Sequence, residues 1–160
     1  MTEMSMTKRT TLATAGLLVG LAYCLAPGAV AAQTSADEAG VRRAAMDYLE
    51  GFYEGDTDKI RRGVHPEVVK FGFYPARDGA GYQSTPMSFA QMLEFATDVK
   101  ESGEFPASDA PKEVILLEVQ DQIAAAKVVA YWGLDYLHLA KYDGEWKIVQ
   151  VLWQTPPPGH

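Results

Sequence analysis

The sequence predicts an α+β fold in which three N-terminal helices cover one face of a curved antiparallel sheet. Apolar residues in the first part of the chain recur at helical spacing, whereas from Lys112 onward they alternate at period two between short turns. Helices followed by a run of strands are typical of the α+β class. The 160 residues are 48% hydrophobic and 22% charged, a composition that favours a single globular domain.

Residues 1–32 have the composition of a secretory signal peptide. Two basic residues precede an apolar stretch without charge, and small residues at positions 29–32 offer a cleavage site after Ala32. Glycine and proline interrupt the apolar stretch, leaving it short of the ~20 residues that a retained membrane anchor needs. We therefore expect a mature domain of residues 33–160, located in the periplasm or secreted, with no membrane attachment after cleavage.

Cys24 is the only cysteine of the chain and lies inside this leader. Lipidation of Cys24 is an alternative, although the preceding Tyr23 is larger than the residue expected before a lipidated cysteine. Removal of the leader leaves a mature domain without a thiol, which excludes disulfides, cysteine nucleophiles and cysteine-ligated zinc.

The charge and the motifs exclude several function classes. A formal net charge of -7, from 14 basic and 21 acidic residues, has the wrong sign for binding a phosphate backbone, so we expect no nucleic-acid partner. The histidines His65, His138 and His160 lack the spacing of a metal site, and we expect no metal. No nucleotide-binding glycine motif or nucleophile elbow is present, and we expect no cofactor.

Local signals place the first two helices. Ser35 and Glu38 have the spacing of a capping box and predict a helix from about residue 36 to residue 53. Gly55 is suited to end this helix in the left-handed conformation, and Asp56 to cap a short second helix.

The pattern of the rest of the chain predicts a strand, a loop, a third helix and then a meander of four strands. Residues 68–74 are β-branched and aromatic and predict a strand, while the glycines and prolines of residues 75–86 predict a loop. Ser88 and Gln91 form a second capping box that begins the third helix. Four strand-like segments follow at residues 113–119, 123–132, 135–142 and 145–154. The Asp-Gly pair between the last two is typical of a tight hairpin.

Three segments of the chain resemble a known family. They are YLEGFYEGD at residues 48–56, HPEVVK at residues 65–70, and DYLHLAK at residues 135–141 followed by GEWKIVQVLW at residues 144–153. These segments are similar to the lumazine-binding branch of the nuclear transport factor two-like superfamily, over nearly all of the mature chain. The resemblance implies a cone-shaped fold with an internal pocket, and a homodimer formed through the sheet.

The resemblance implies fold more directly than chemistry, because this superfamily carries isomerases, cyclases, dehydratases and binding modules on one scaffold. The paired Tyr and protonated Asp of the ketosteroid isomerases are not found at recognisable positions. That activity is therefore not expected here.

Five residues are candidates for a site. His65, where the short helix meets the first strand, is a candidate general base, or alternatively a structural histidine that bonds the backbone. Tyr136 and His138 share one face of a strand, which looks either into the cone as a ligand site or outward as a surface. Tyr53 and Trp153 are the aromatic residues chosen to line the pocket and stack on a flat ligand.

Two functions from different classes follow. The first is an exported module that binds a small apolar or planar ligand, oriented by His65, Tyr136 and His138. The alternative is a small proton-transfer enzyme, an isomerase, cyclase or dehydratase, in which His65 is the base. A third option is an interaction protein that dimerises through its sheet. Convergence of the three polar side chains in one enclosed cavity is the feature that distinguishes them.

Overall fold

The computed structural model describes residues 27–77, 79 and 81–156. Most of the predicted leader, including Cys24, lies outside this range, as does His160. Within it, no helix combines the length and the apolar character needed to cross a membrane.

The three predicted helices are present. They are α1 at Pro27–Glu54, α2 at Thr57–Gly63 and α3 at Phe89–Ser102. Gly55 follows α1 with φ +65°, and the side chain of Asp56 accepts hydrogen bonds from two backbone amides of the first turn of α2, as predicted. The Ser88–Gln91 capping box of α3 is also confirmed.

The predicted start of α1 is wrong. The helix begins at Pro27, so Ser35 lies inside it and does not cap its first turn. The alanine-rich residues before Ser35 favour helix, and proline is tolerated in a first turn. These two properties extend the helix beyond the local capping signal.

Six strands form one sheet. They are β1 at Val64–Pro75, β2 at Tyr82–Met87, β3 at Glu113–Val119, β4 at Ile123–Ala130, β5 at Gly133–Tyr142 and β6 at Glu145–Gln154. The strand order is β2-β1-β6-β5-β4-β3. All neighbours are antiparallel except β1 and β6, which are parallel. The expectation of a wholly antiparallel sheet is therefore corrected at this pair, which a long crossover through α3 and the meander connects.

Strand β2, at residues 82–87, occupies the second half of the loop predicted for residues 75–86. It forms a hairpin with β1, from Pro75 paired with Tyr82 to Lys70 paired with Met87. As the edge strand it is mostly exposed and contains glutamine, serine, threonine and proline, so it lacks the apolar alternation by which strands are recognised.

Helices α1 and α3 pack against one face of the sheet, which we call the inner face; the opposite side is the outer face. On β5 the inner residues Asp135, Leu137 and Leu139 are buried, while Tyr136 and His138 are exposed on the outer face. The hairpin that follows β5 has positive φ at Asp143 and Gly144, as the sequence predicted. The largest fully buried side chains of the core include Tyr48, Leu49, Ile60, Met92, Leu137, Leu139 and Ile148.

A bulge in β6 determines which of its side chains face inward. His138 pairs with Gln150 whereas the next residue, Leu139, pairs with Ile148, so β6 carries one additional residue there. Trp146 and Ile148 lie on the inner face before the bulge, and Val151 is buried after it. The extra residue thereby brings Trp153 onto the inner face, beside β1.

Candidate functional site

The centre of the candidate site is Lys70, a buried lysine on the inner face of β1. The side chain is only 8% exposed. Its Nζ lies 5.0 Å from the ring centroid of Tyr48, 4.9 Å from that of Phe52 and 5.9 Å from that of Trp153. Aromatic faces attract a cation, and the attraction is stronger where water is excluded. The three rings therefore form a favourable environment for the ammonium group.

A chain of hydrogen bonds connects Lys70 to a buried carboxylate. Lys70 Nζ donates to the Tyr48 hydroxyl at 2.6 Å, and that hydroxyl donates to Asp135 Oδ2 at 2.6 Å. Trp132 Nε1 donates to the other oxygen, Oδ1, at 2.9 Å. Asp135 is fully buried, so these bonds are the compensation that a buried carboxylate requires. The arrangement links β1, α1 and β5 through one positive and one negative charge.

The buried groups have shifted protonation equilibria. Desolvation lowers the pKa of Lys70 to about 8, although the negative charge of Asp135 acts in the opposite direction. Burial and the Asp135 carboxylate raise the pKa of Tyr48 well above its ordinary value. At neutral pH Lys70 is therefore mostly an ammonium, and Tyr48 is a neutral hydroxyl that donates to Asp135.

Lys70 lines a small cavity of about 130 Å³, which we call the interior pocket. Its walls are formed by Phe52, Lys70, Met87, Phe95, Tyr131, Trp132 and Trp153. A single cation thus lies among aromatic and apolar groups, a composition typical of small-molecule sites. An engineered protein cavity of about 150 Å³ accommodates benzene, so a single ring is the size that such a space accepts.

Trp153 depends on Gly72 for its position. The indole lies so close to Gly72 that a Cβ there would be 2.2 Å from three ring atoms, including Nε1. The ring also stacks on Tyr74, with a centroid separation of 6.5 Å and an interplanar angle of 6°. Nε1 is buried and has no hydrogen-bond partner among the described residues. The donor is therefore sealed against β1, while other atoms of the indole line the interior pocket.

A second, larger groove of about 850 Å³ opens at the end of the sheet, mainly on the outer face. It is lined by Phe73, Pro111, Val129, Ala130, Tyr131, Gly133, Leu134, Tyr136, Leu152, Trp153, Gln154, Thr155 and Pro156. Tyr131 and Trp153 belong to both cavities, so they separate the outer groove from the interior pocket.

Comparison with known proteins identifies the family. Residues 36–154 match the family described as "Putative lumazine-binding". The chain belongs to this family. A search of curated proteins gives no match.

Solved structures show that the fold is that of the nuclear transport factor two-like superfamily. A protein of unknown function from Silicibacter pomeroyi DSS-3 is 19% identical, with a TM-score of 0.59 over 77% of this chain and 98% of its own. A protein of unknown function from Shewanella baltica OS155 is 19% identical, with a TM-score of 0.55 over 75% of this chain and 94% of its own. A protein with a cystatin-like fold from Novosphingobium aromaticivorans is 12% identical, with a TM-score of 0.56 over 85% of this chain and 94% of its own. At these identities the likeness concerns the fold alone.

Within this family member, the structure does not bring His65, Tyr136 and His138 into one cavity. His65 accepts a hydrogen bond from the Glu67 backbone amide at its Nδ1, and its ring stacks on Tyr142 at 4.6 Å. Tyr136 lines the outer groove. His138 is exposed, with its Nδ1 2.8 Å from Gln150 Oε1. The proposed three-residue cluster is therefore corrected: these side chains lie at separate places, because the shared face of β5 points outward.

The two aromatic candidates have different placements. Trp153 lines the interior pocket. Tyr53 is buried beside it, but its hydroxyl donates to the Pro111 carbonyl and accepts from the Tyr131 amide at 3.0 Å. Tyr53 is not among the residues of the pocket wall, because both of these bonds hold it to the backbone next to the meander.

Sequence reasoning missed Lys70, Tyr48 and Asp135 as site residues. The available signal was Lys70 itself, a lysine inside the run VVKFGF, two residues before a glycine. A glycine within a strand often marks the close approach of another group.

Proposed function

We propose that the protein is an exported ligand-binding module of the nuclear transport factor two-like superfamily, and that its interior pocket holds a small planar ligand. The observation that carries this proposal is a charged lysine buried against the aromatic wall of a cavity. Lysine is seldom buried, and this one is held by Tyr48 and Asp135 with its side chain at the wall of a cavity, an arrangement typical of functional sites. Export is supported by the leader-like residues 1–32.

The pocket wall favours a flat ligand. The rings of Phe52, Trp132 and Trp153 surround a space near the size of one aromatic ring. Flat faces stack on such rings, and Lys70 supplies one polar contact that fixes orientation. The family description names lumazine, which is planar and carries carbonyl acceptors as this chemistry favours, but which has two fused rings where the pocket has room for about one.

The enzymatic alternative with His65 as the base receives no support from the geometry. His65 is not part of the pocket wall, and its ring is engaged with Tyr142 on the outer side of the sheet. A base must lie within hydrogen-bond reach of the proton that it removes. The geometry therefore favours the binding function over this alternative.

Truncating Phe95 is expected to weaken the binding of a planar ligand about tenfold, because the ring forms part of the pocket wall. Lumazine and benzoate are suitable probes, with binding followed by the fluorescence of Trp132 and Trp153 and by thermal shift. Tyr136→Ala is the matched control, since this residue is also a partly exposed aromatic but lines only the outer groove. Equal losses in Phe95→Ala and Tyr136→Ala, or a loss in Tyr136→Ala alone, would place the ligand outside the interior pocket.

We also propose a homodimer formed through the outer face. That face exposes a run of apolar side chains on β1, Val69, Phe71 and Phe73, next to Leu152 of β6. Val69→Lys is expected to convert a dimer to a monomer in sedimentation velocity, because Val69 is 63% exposed and its replacement leaves the core intact. Phe105→Lys, in the connector after α3, is the control that should leave the dimer unchanged. A monomeric wild-type protein at micromolar concentration would contradict the proposal.

A further inference from the structure

We infer that Lys70 acts as a nucleophilic amine, and that the interior pocket captures a small aldehyde or ketone as an imine on Lys70 Nζ. This inference rests on the proposed function, because it concerns the same pocket. It adds the chemical class of the ligand and a covalent step, which neither the family description nor the fold supplies.

Lys70 Nζ lies between a hydrogen-bonded hydroxyl and the pocket. Its bond is to Tyr48, which is not part of the pocket wall. The rings of Phe52 and Trp153, with centroids 4.9 Å and 5.9 Å from Nζ, do belong to the wall. Tyr131, also in the wall, is 45% exposed, so the pocket reaches solvent beside it. A carbonyl group that enters between these rings is therefore within reach of the amine.

The hydrogen-bond partner of Lys70 differs from that of other lysines in the described part of the chain. Four of them form direct ion pairs with carboxylates: Lys59, Lys112, Lys141 and Lys147. Lys70 Nζ bonds a neutral hydroxyl instead, and the Asp135 carboxylate lies beyond that hydroxyl. A direct ion pair holds an amine in its charged form, whereas a hydroxyl can both accept and donate a proton. Lys70 is therefore arranged to release a proton.

Two hydrogen bonds of 2.6 Å each give that proton a path. A proton can move from Lys70 Nζ to the Tyr48 oxygen while the Tyr48 proton moves to Asp135 Oδ2, which leaves a neutral amine and a neutral carboxylic acid. Burial favours neutral groups, and it lowers the pKa of Lys70 to about 8. At pH 7 about a tenth of Lys70 is then a free amine, against less than about a thousandth of an ordinary lysine. Desolvated lysines of this kind are the ones that attack carbonyl groups.

The amine and the carbonyl compound react in two steps. The Nζ lone pair attacks the carbonyl carbon, a C–N bond forms, and the oxygen takes a proton from the nitrogen to give a carbinolamine. Asp135 then returns its proton through Tyr48 to that oxygen, which leaves as water while the C=N bond forms. One ammonium and one carbonyl group thereby become one iminium and one water, with the charge of the site unchanged.

The surroundings of Nζ suit an iminium. The Asp135 carboxylate offsets its single positive charge through Tyr48, as it offsets that of the ammonium. The rings of Tyr48, Phe52 and Trp153 stabilise either cation. Because the charges of Lys70 and Asp135 already balance, the site favours a neutral ligand such as an aldehyde or a ketone.

The test incubates the protein at pH 7 with benzaldehyde and sodium cyanoborohydride, which reduces an imine to a stable secondary amine. Peptide mapping by mass spectrometry then locates each added benzyl group. We expect the adduct on Lys70 to form at least about tenfold faster than on any other lysine, because the pocket holds the aldehyde beside a larger fraction of neutral amine. An even distribution of adducts over the exposed lysines and the α-amino group would overturn the inference.

Lys70→Arg keeps a cation in the site and removes the nucleophile, because a guanidinium stays protonated. We expect this variant to lose the fast adduct while circular dichroism shows a folded domain. Lys127→Met, on the outer side of β4, is the matched control and should retain the fast adduct. If Lys70→Arg does not fold, competition in the wild-type protein takes its place. Benzoate forms no imine, and at about ten times its Kd it should slow capture at Lys70 about tenfold without affecting exposed lysines.

The pH profile is a second readout of the same experiment. The ratio of adduct on Lys70 to adduct on exposed lysines should be nearly constant from about pH 6 to 7 and fall about fivefold from about pH 8 to 9. With a pKa of about 8, Lys70 is mostly neutral above that pH, whereas ordinary lysines continue to gain neutral amine. The other titratable groups facing this site are Tyr48 from α1, Asp135 from β5 and Tyr131 after β4. Burial raises the pKa of both tyrosines, so they stay neutral through this range. A ratio that is constant up to pH 9 would contradict the inference.

Two outcomes separate the inference from the proposed function. If benzoate or lumazine binds and Phe95→Ala weakens the binding, but Lys70 gives no fast adduct, the binding function stands and the amine chemistry is wrong. If neither compound binds and no fast adduct forms, both the chemistry and the binding function fail. A fast adduct that persists in Lys70→Arg would also overturn the inference, because another amine would then be the nucleophile.

Discussion

Replacing Asp135 with asparagine is expected to lower the free energy of unfolding by about 3–5 kcal/mol, the range for a buried charge pair that loses one partner. The carboxylate is fully buried and offsets the charge of Lys70 through the Tyr48 hydroxyl. An asparagine has one acceptor oxygen, whereas Tyr48 and Trp132 each donate to a separate oxygen of Asp135. The variant therefore leaves a buried ammonium without compensation and one donor without an acceptor.

Urea denaturation followed by far-ultraviolet circular dichroism measures this loss without relying on the tryptophans of the site. Asp121→Asn, an exposed aspartate in the turn between β3 and β4, is the control and should change stability by less than about 0.5 kcal/mol. Adding Lys70→Met to Asp135→Asn should restore part of the loss, because the uncompensated charge is then removed. A loss below about 1 kcal/mol for Asp135→Asn would show that the carboxylate is not the counter-charge of Lys70.

The parts of the fold that the sequence predicts correctly are those determined by local chemistry. Asp56 caps α2, Ser88 and Gln91 cap α3, and Asp143 with the following glycine forms the last hairpin. Each depends on a few neighbouring residues whose hydrogen bonds or backbone conformations are independent of the rest of the chain. The caps and the turn predicted from these residues are therefore present in the folded structure.

The orientation of the strands could not be predicted in the same way. In β1 the more apolar set, Val69, Phe71 and Phe73, is on the outer face, while Lys70 and Gly72 face the helices. Alternation gives the period of a strand but not which of its faces is buried. Apolar content alone predicts that Val69, Phe71 and Phe73 face the helices, which is the opposite of their position in the structure. Similarly, no local residue pattern marks the bulge in β6 that brings Trp153 inward.

The site itself is non-local. Tyr48, Lys70 and Asp135 come from α1, β1 and β5, and their hydrogen bonds join residues 22 and 87 positions apart. No spacing motif connects them, so inspection of neighbouring residues cannot find the group. A histidine is a candidate acid or base from its identity alone, whatever residues surround it. The buried lysine is recognisable only once the inner face of β1 is known.

The second large effect is expected for Gly72→Ala, which should lower stability by about 1–3 kcal/mol, the range for overpacking a filled interior. A Cβ at this position would be 2.2 Å from the Trp153 ring, and the φ of Gly72 is not positive, so the cost is steric and not a backbone restriction. Displacing the indole also disrupts the wall of the interior pocket, and benzoate and lumazine should then bind at least about tenfold more weakly.

Urea denaturation and the tryptophan emission spectrum together report on the Gly72→Ala variant. Emission should shift to longer wavelength as the indole moves toward water, in parallel with the loss of stability. Adding Trp153→Leu, which removes the ring that the new methyl group meets, should recover stability relative to Gly72→Ala but not ligand binding, because the aromatic ring of the pocket wall is then missing. Unchanged stability, emission and binding in Gly72→Ala would mean that the indole does not rest on Gly72 and that Trp153 is not held in the pocket by this contact.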